Sequence, residues 1–583
     1  MKRTLIFGHM PRGGRPDTHI AAGAWCFAGQ EDLFPGWDEP GERAFPLPPD
    51  PFPNAQIMEA TARAANGEVL RLLDVFSKQY NALHKKNLST HFWNMALGPV
   101  LLPAVHMLAE RQKRVLDLIE LYGNKELRVA LLPGDMPFSF ASSQEFMLHG
   151  VRNVLFNHYI YSRIIEAIAP PFWQLIYQPG LALHRVGAIT RQTRPAAKSM
   201  MERLRARLLR LPFPHTEGFR AWQAFALSLA VLCNSRKNAD NSLDFSLYCD
   251  EPLAWIFPAQ QLVFSCLPQN LRQAALPAIT APAGDDRPGP LRGMTPNYSQ
   301  NDEYRLHLAD LLERGCRLFA VQHEADYDHL RSIGGLPFEY QQHAFFTWGR
   351  ERHEDAPTNA RSLPHPLPVS IANAHKERMP SLILAGTEMN AFSCRLESRT
   401  QSKAMLAYRA AKLTYLRAAC EALGQQTRIF YHPSCKTSGG LDDAEYILRH
   451  APHTAICTGD LTAQLLGCRL LVLDHYGTTL HMALAANTPT IAFWKNSDWG
   501  FDSESAWAVD ILREVGILFE TPQEAAARTV DIWPNAQGWW RDNVVQAVRK
   551  LWLERYARIG NTPERAWNTF TLTWRWWNAL RKC

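Results

Sequence analysis

The stretch LVLDHYGTTLHMALAANTPTIAFW, residues 471–494, decides the fold. Leu471, Val472 and Leu473 form a short apolar run, as a strand covered on both faces requires. Asp474 to Gly477 make the turn, and Thr478 and Thr479 stand where a helix begins. A helix N-terminus carries unpaired backbone N–H groups and a positive dipole end. Two hydroxyls beside it suit a phosphate. Pro489 closes the helix and Thr490–Trp494 returns as the next strand. The same pattern serves any β-turn-α unit of a doubly wound sheet, so the ligand must be argued from the flanking residues.

Upstream the alternation is clean from Ser381. SLILAGT reads as a strand, 398–423 as a helix, TRIFYHP as a strand, 441–449 as a helix, TAICTG as a short strand and LTAQLLG as a helix. Strand and helix alternating in this way predict a parallel sheet, with ligands beyond the carboxyl ends of its strands.

The N-terminal half is less regular. Residues 3–8 read as a first strand, followed by a glycine-rich loop, and 34–54 are too rich in proline for regular structure. Helical patterns run from about Ile57 to Leu121, with Pro99 and Pro103 expected to start or kink a helix. RVALLPGDM is a strand entering a loop, 151–235 reads as largely helical with a core helix at Ala221–Cys233, and 281–297 as a linker. Residues 302–315 predict a helix, CRLFAVQHEADYDH a strand running into a polar loop, HAFFTWG another strand, and LPHPLPVS a crossover between domains.

At 583 residues the chain exceeds one core and implies two or three domains. Its net charge of +6 is spread without a long basic run, which argues against nucleic acid and suits anionic substrates. Eleven cysteines without a CxxC pair fit a reducing compartment. The apolar run Leu5–Phe7 is too short for a signal peptide, so a cytoplasmic location is expected.

Chemistry-bearing side chains gather at predicted strand ends. In the C-terminal half these are Thr387 and Glu388, the loop His432-Pro433-Ser434-Cys435-Lys436-Thr437-Ser438, Thr458 and Asp460, and Asp474 with Gly477, Thr478, Thr479 and His481. Imidazole, ammonium and hydroxyls can hold a nucleotide phosphate without a metal, although the Walker spacing is absent. Arg395 and Arg399 could add a phosphate contact, although for either one alone a solvated helix start is the better reading. In the N-terminal half, His323 and Glu324 follow a strand, and a histidine there can act as general base. Asp135, with Glu145 nearby, could hold an acceptor hydroxyl or cap a helix. His9, His19 and Ala24–Cys26 form a weaker third set. No His/Cys cluster has zinc spacing, so no metal is expected.

Taken together, GAWCF at 23–27, HFWNMALGPVLLPAVHMLAER, SSQEFMLHGVRNVLF, LFAVQHEADY, FFTWG, LPHPLPVS, DHYGTTLHMALAANTPTIAFW, VGILFETPQEAA and GWWRDNVVQAVRKLW resemble a family of transferases of bacterial surface-carbohydrate biosynthesis. The resemblance implies a GT-B-like α/β enzyme, with two Rossmann-type domains facing a cleft and a helical insertion in the first. The expected boundaries are 1–370 for acceptor binding, 371–550 for the nucleotide sugar and 551–583 for a helical tail. It implies a glycosyltransferase that needs no cofactor beyond its nucleotide-sugar donor and acts on a glycan or lipid-linked glycan. His323, Glu324, Asp135 and Glu145 would serve catalysis. The donor would meet Thr387, Arg395, His432, Ser434, Lys436, Ser438, Gly477, Thr478, Thr479 and His481.

Two departures stand out. Glu324 occupies the place of an expected Gly, and His481 that of a Glu which in GT-B enzymes commonly contacts the ribose. His432-Pro433 is similar to the His-Pro pair of sialyl and Kdo transferases, which favours a CMP-linked ulosonate over UDP- or GDP-sugars. Transfer of a polyol phosphate, or binding without catalysis, are the alternatives. In the tail, Trp567, Phe570, Trp574, Trp577 and Leu580 recur at spacings of three and four. Such a stripe suits peripheral contact with the inner face of the cytoplasmic membrane, or packing on the first domain.

Overall fold

The computed structural model describes residues 2–178, 249–272 and 291–560, apart from 40, 137, 334–335, 351–359, 365, 375–376, 388–390, 399–403, 425–426, 432–440 and 442. Its described strands form three parallel sheets.

The third sheet is the one announced by residues 471–494. Its strands are β9 (Met379–Ala385), β10 (Thr427–Phe430), β11 (Ala455–Cys457), β12 (Cys468–Leu473), β13 (Thr490–Phe493) and β14 (Leu518–Phe519). They lie in the order β11-β10-β9-β12-β13-β14, all parallel. The chain winds outward from β9 through β10 and β11, crosses back to β12, and winds outward the other way. That is the Rossmann order, with its switch point between β9 and β12. Leu470, Val472 and Ile491 are fully buried, as a sheet covered on both faces requires. The intervening helices include α6 (Ala404–Leu423), α7 (Asp443–His450), α8 (Leu461–Gly467) and α9 (Thr478–Ala485). Asp460 caps α8 by accepting from the N–H groups of Thr462 and Ala463.

The span expected to be one domain up to 370 holds two separate four-stranded sheets. The first has β1 (Arg3–Ile6), β2 (His19–Ala21), β3 (Leu127–Leu131) and β4 (Trp173–Tyr177), ordered β2-β1-β3-β4. The second has β5 (Leu291–Gly293), β6 (Arg317–Val321), β7 (Ala344–Thr347) and β8 (Ala360–Ser362), in sequence order. Two expectations are corrected here. Residues 173–177, read as helical, are an edge strand, and the linker at 281–297 contains β5. Strands of three to five residues are too short for periodicity to separate from their surroundings. Ala221–Cys233 and the aromatic stripe from Trp567 to Leu580 lie outside the described residues.

The helical insertion is α1 (Ala55–His84) and α2 (Thr90–Tyr122). Asn54 caps α1 by accepting from the Ile57 N–H, and Lys85 ends it in the left-handed region at φ 51°. Ser89 caps α2 in the same way through the Phe92 N–H. Pro99 and Pro103 neither start nor end α2 but lie inside it. Each removes one intrahelical N–H donor, and buried Arg305 donates from Nε to the nearby Ala96 carbonyl. α2 is long and apolar enough to cross a membrane, yet its most apolar window is buried within the protein.

The halves are locked through α2. Arg111, fully buried, pairs with Glu110, donates from Nε to Asn157 of α3 (Val154–Ile168), and donates to the Ser393 carbonyl across the boundary at 3.0 Å. His106 accepts from the Leu396 N–H at Nδ1, so its Nε2 proton goes to Asn66. Farther along, α12 (Asn543–Tyr556) packs on α9, and just past its end the Arg558 N–H donates to the Trp348 carbonyl beyond β7. One buried core therefore continues from Leu5 to Ala557, and a second, with Leu382, Leu470, Val472 and Ile491, lies on the third sheet.

Candidate functional site

The switch point is bridged by backbone and carboxylate. The Thr387 N–H, just past β9, donates to both carboxylate oxygens of Asp474, just past β12, at 2.9 and 3.2 Å. Asp474 is fully buried and also bonds His475 Nδ1 at 2.8 Å. The Thr387 carbonyl in turn accepts from Lys412 of α6 at 2.5 Å, and Lys412 pairs with Asp443 of α7. A cation and a buried carboxylate therefore brace the floor of the crevice.

Past Asp474 the turn leads into α9. Gly477 is the N-cap and offers no side chain, so the N–H groups of the first turn have no side-chain cap. Its φ of 162° is extended backbone, so conformation does not demand glycine there. Thr478 and Thr479 are half-buried at the start of the helix. The Thr478 hydroxyl accepts from the Ala325 N–H at 3.1 Å, which leaves its own proton free to donate.

That bond brings the second half of the site into view, because Ala325 belongs to the loop after β6. Gln322, fully buried, anchors the loop: its side chain accepts from the Trp348 N–H and its carbonyl from the Trp348 indole. His323 follows, half-buried, beside a cavity of about 40 Å³. The cavity is also lined by Tyr298 after β5, Tyr327, Arg395 and Glu339, the last residue of the short helix α5 (Leu336–Glu339). Glu339 is nearly fully buried and accepts from the Tyr327 phenol at 2.8 Å. Burial raises its carboxyl above the usual range, opposed chiefly by His323. Burial also drives the phenols of Tyr298 and Tyr327 well above their ordinary values. Arg395 is held charged by Glu397, Cys394 and Glu324 against the effect of its burial.

The expected residues separate into groups. His323, Glu324 and Arg395 come together on this cavity and its rim, although Arg395 had been expected on the donor. Thr387, Gly477, Thr478 and Thr479 gather at the switch point. His432, Ser434, Lys436 and Ser438 lie outside the described residues, just past β10.

Three residues fall elsewhere. His481 is fully buried among His329, Trp552, Trp348 and Tyr476, with ring centroids 5.4–6.1 Å away. Burial lowers its imidazole to about 3, so it is a neutral core residue. The reason is helical geometry: one turn into α9, its position faces the core side. Glu145 accepts from the Ala141 N–H at 2.8 Å while Ser142 accepts from the Glu145 N–H, a helix cap. Asp135 is exposed in the turn after β3, and no hydrogen bond or ion pair among the described residues joins it to His323. Sequence reading missed Glu339 and Tyr298. Their contacts with the His323 loop are long-range, and only Tyr327, four residues beyond His323, carried a local signal.

A Rossmann-ordered sheet whose switch point meets a histidine loop on a second parallel sheet defines an α/β protein with its candidate site between the sheets. The chain belongs to the LIC12162 family of transferases, whose profile matches residues 3–570. No curated protein matches it. It is similar to solved structures at low identity. One is S. aureus TarM in complex with fondaparinux, alpha-GlcNAc-glycerol and UDP: 13% identity, 47% of this chain and 53% of that one covered, TM-score 0.29. Another is the wall teichoic acid polymerase TagF with CDPG: 11% identity, 48% and 76% covered, TM-score 0.29. A third is the Thermobaculum terrenum O-GlcNAc transferase: 12% identity, 91% and 84% covered, TM-score 0.24. The chain spans about half the length of the first two TarM structures it matches, 53% and 52%.

Proposed function

We propose that this transferase moves a glycosyl group from a nucleotide donor onto a hydroxyl of a bacterial surface glycan, in a GT-B-like cleft. The observation that carries the reading is the meeting of the two strand-end loops, Ala325 N–H on Thr478 Oγ1, which sets His323 opposite the crevice at the switch point. The donor phosphate would lie on the first turn of α9, with Thr478, Thr479, His432 and Lys436 as its partners. The acceptor oxygen would attack the anomeric carbon as the bond from that carbon to the phosphate oxygen breaks. The leaving nucleotide carries the electron pair away, and the acceptor proton passes to His323. Such transfers run through an oxocarbenium-like state, so donors placed at the departing phosphate lower the barrier.

His432-Pro433 supports a CMP-linked ulosonate as the donor. The reading places the enzyme in the cytoplasm, acting on lipid-linked acceptors at the inner face of the membrane. A thermal-shift panel of CMP, CDP, UDP and GDP tests the donor half. One nucleotide should raise the melting temperature by mass action. If none does, the nucleotide-donor reading fails.

A further inference from the structure

The geometry around His323 points to a partner that the proposed reaction has not yet used. His323 retains 27% side-chain exposure, but its Nδ1 is buried and has no hydrogen-bond partner among the described residues. The nearest anion is Glu339 Oε2, at 3.9 Å. The exposed edge of the ring is therefore the one carrying Nε2.

Glu339 is held from several sides. The Tyr327 phenol donates to it, and the Tyr298 phenol is also hydrogen-bonded to it. Tyr327 is itself fixed, because its carbonyl accepts from the Tyr340 phenol at 2.8 Å and its ring meets the imidazole edge-to-face at 5.1 Å. α2 seats the neighbouring residue closely: a Cβ on Gly98 would come within 2.4 Å of the Phe338 ring. Arg395 and Glu324 are the charged groups facing the pair from the adjoining loops, while α2 contributes only Pro99, Leu102 and Pro103.

We propose that Glu339 is the positioning residue of His323: its carboxylate accepts a hydrogen bond from the imidazole Nδ1–H, which keeps that proton on Nδ1 and leaves Nε2 as the basic nitrogen toward the acceptor hydroxyl. This rests on the reading of His323 as the base. A separation of 3.9 Å is too long for a direct N–H···O bond. A small ring swing closes it, or one bridging water, for which a cavity of about 40 Å³ has room. Which ring nitrogen carries the proton is set by the bond the other makes. A buried carboxylate behind the ring also stabilises the imidazolium formed when the proton is taken up.

The test is the tautomer of His323 in the full chain, read by long-range 15N NMR. Its resonance is assigned by its loss in His323→Ala. The wild type should show the proton on Nδ1. In Glu339→Gln the two phenol donors hold the amide oxygen, so the NH₂ faces Nδ1 and the proton should move to Nε2. Glu339→Asp should keep the wild-type tautomer. With a sugar donor built on the nucleotide found in the thermal-shift panel, Glu339→Gln should lose transfer by about 100-fold or more, the scale of general-base catalysis, at unchanged KM for the donor. An identical tautomer in wild type and Glu339→Gln overturns the proposal, whatever happens to thermal stability. A tautomer that switches while the wild type transfers nothing upholds the contact and overturns the base reading instead.

Discussion

The Thr478 hydroxyl accepts a hydrogen bond from the Ala325 backbone N–H at 3.1 Å. One residue opens the helix after the switch point, and the other follows His323 and Glu324 in the loop after β6. The Tyr476 phenol adds a second tie beside it, 2.5 Å from His329 Nδ1. The two halves of the candidate site are therefore held at fixed separation by neighbours of the residues expected to act.

Replacing His323 by Ala should abolish transfer and leave nucleotide affinity unchanged, because it lies on the sheet opposite the donor crevice. Isothermal titration with the preferred nucleotide, alongside a transfer assay, separates the two effects. Weakened nucleotide binding would place His323 in the donor site.

Thr479→Val removes a hydroxyl at the first turn of α9 while keeping its shape, and His432→Ala removes a charge-assisted donor. Each should weaken nucleotide binding, by about 1–3 kcal/mol for His432. An unchanged Kd in both variants would move the phosphate off α9.

Arg111 pairs with Glu110 and reaches Asn157 and the Ser393 carbonyl, all in the interior. Arg111→Ala strips Glu110 of one of its two cations, leaving only Arg114. It should destabilise the fold by about 3 kcal/mol or more, as when one partner of a buried pair is deleted. A lowered urea midpoint is the readout. A change below about 1 kcal/mol, the level of an exposed pair, would mean that water reaches the site.

Acid should unfold the protein early. Burial lowers His106 and His481 to about 3 and His158 to about 4. Between pH 6.5 and those values the unfolded chain binds protons that the folded one refuses, so stability falls as pH falls. Each histidine contributes up to roughly 1.4 kcal/mol per pH unit across that window. His481 has no hydrogen bond to lose among the described residues. His481→Phe should therefore fall less steeply between pH 6.5 and 4 and be no less stable at pH 7. A slope equal to wild type would show that His481 is protonated in the folded state.

Residues 471–494 determined β12, α9 and β13 by themselves, because a buried strand, a short turn and a helix start are all local signals. Strand, helix and turn assignments from Ser381 onward follow from the same cause. The N-terminal half was legible only in outline. Its strands of three to five residues, and a helix that continues through Pro99 and Pro103, take their form from packing and not from periodicity. At the site, the sequence offered His323, Thr478 and Thr479 as candidates because each follows a strand. It also offered His481 and Glu145, which the fold turns inward or spends on a cap. Only the tertiary structure decided that Arg395 shares a cavity with His323, and that Glu339 and Tyr298 stand behind it. Those contacts join segments distant in the chain, and their strength comes from a low-dielectric interior that exists only once the sheets have met.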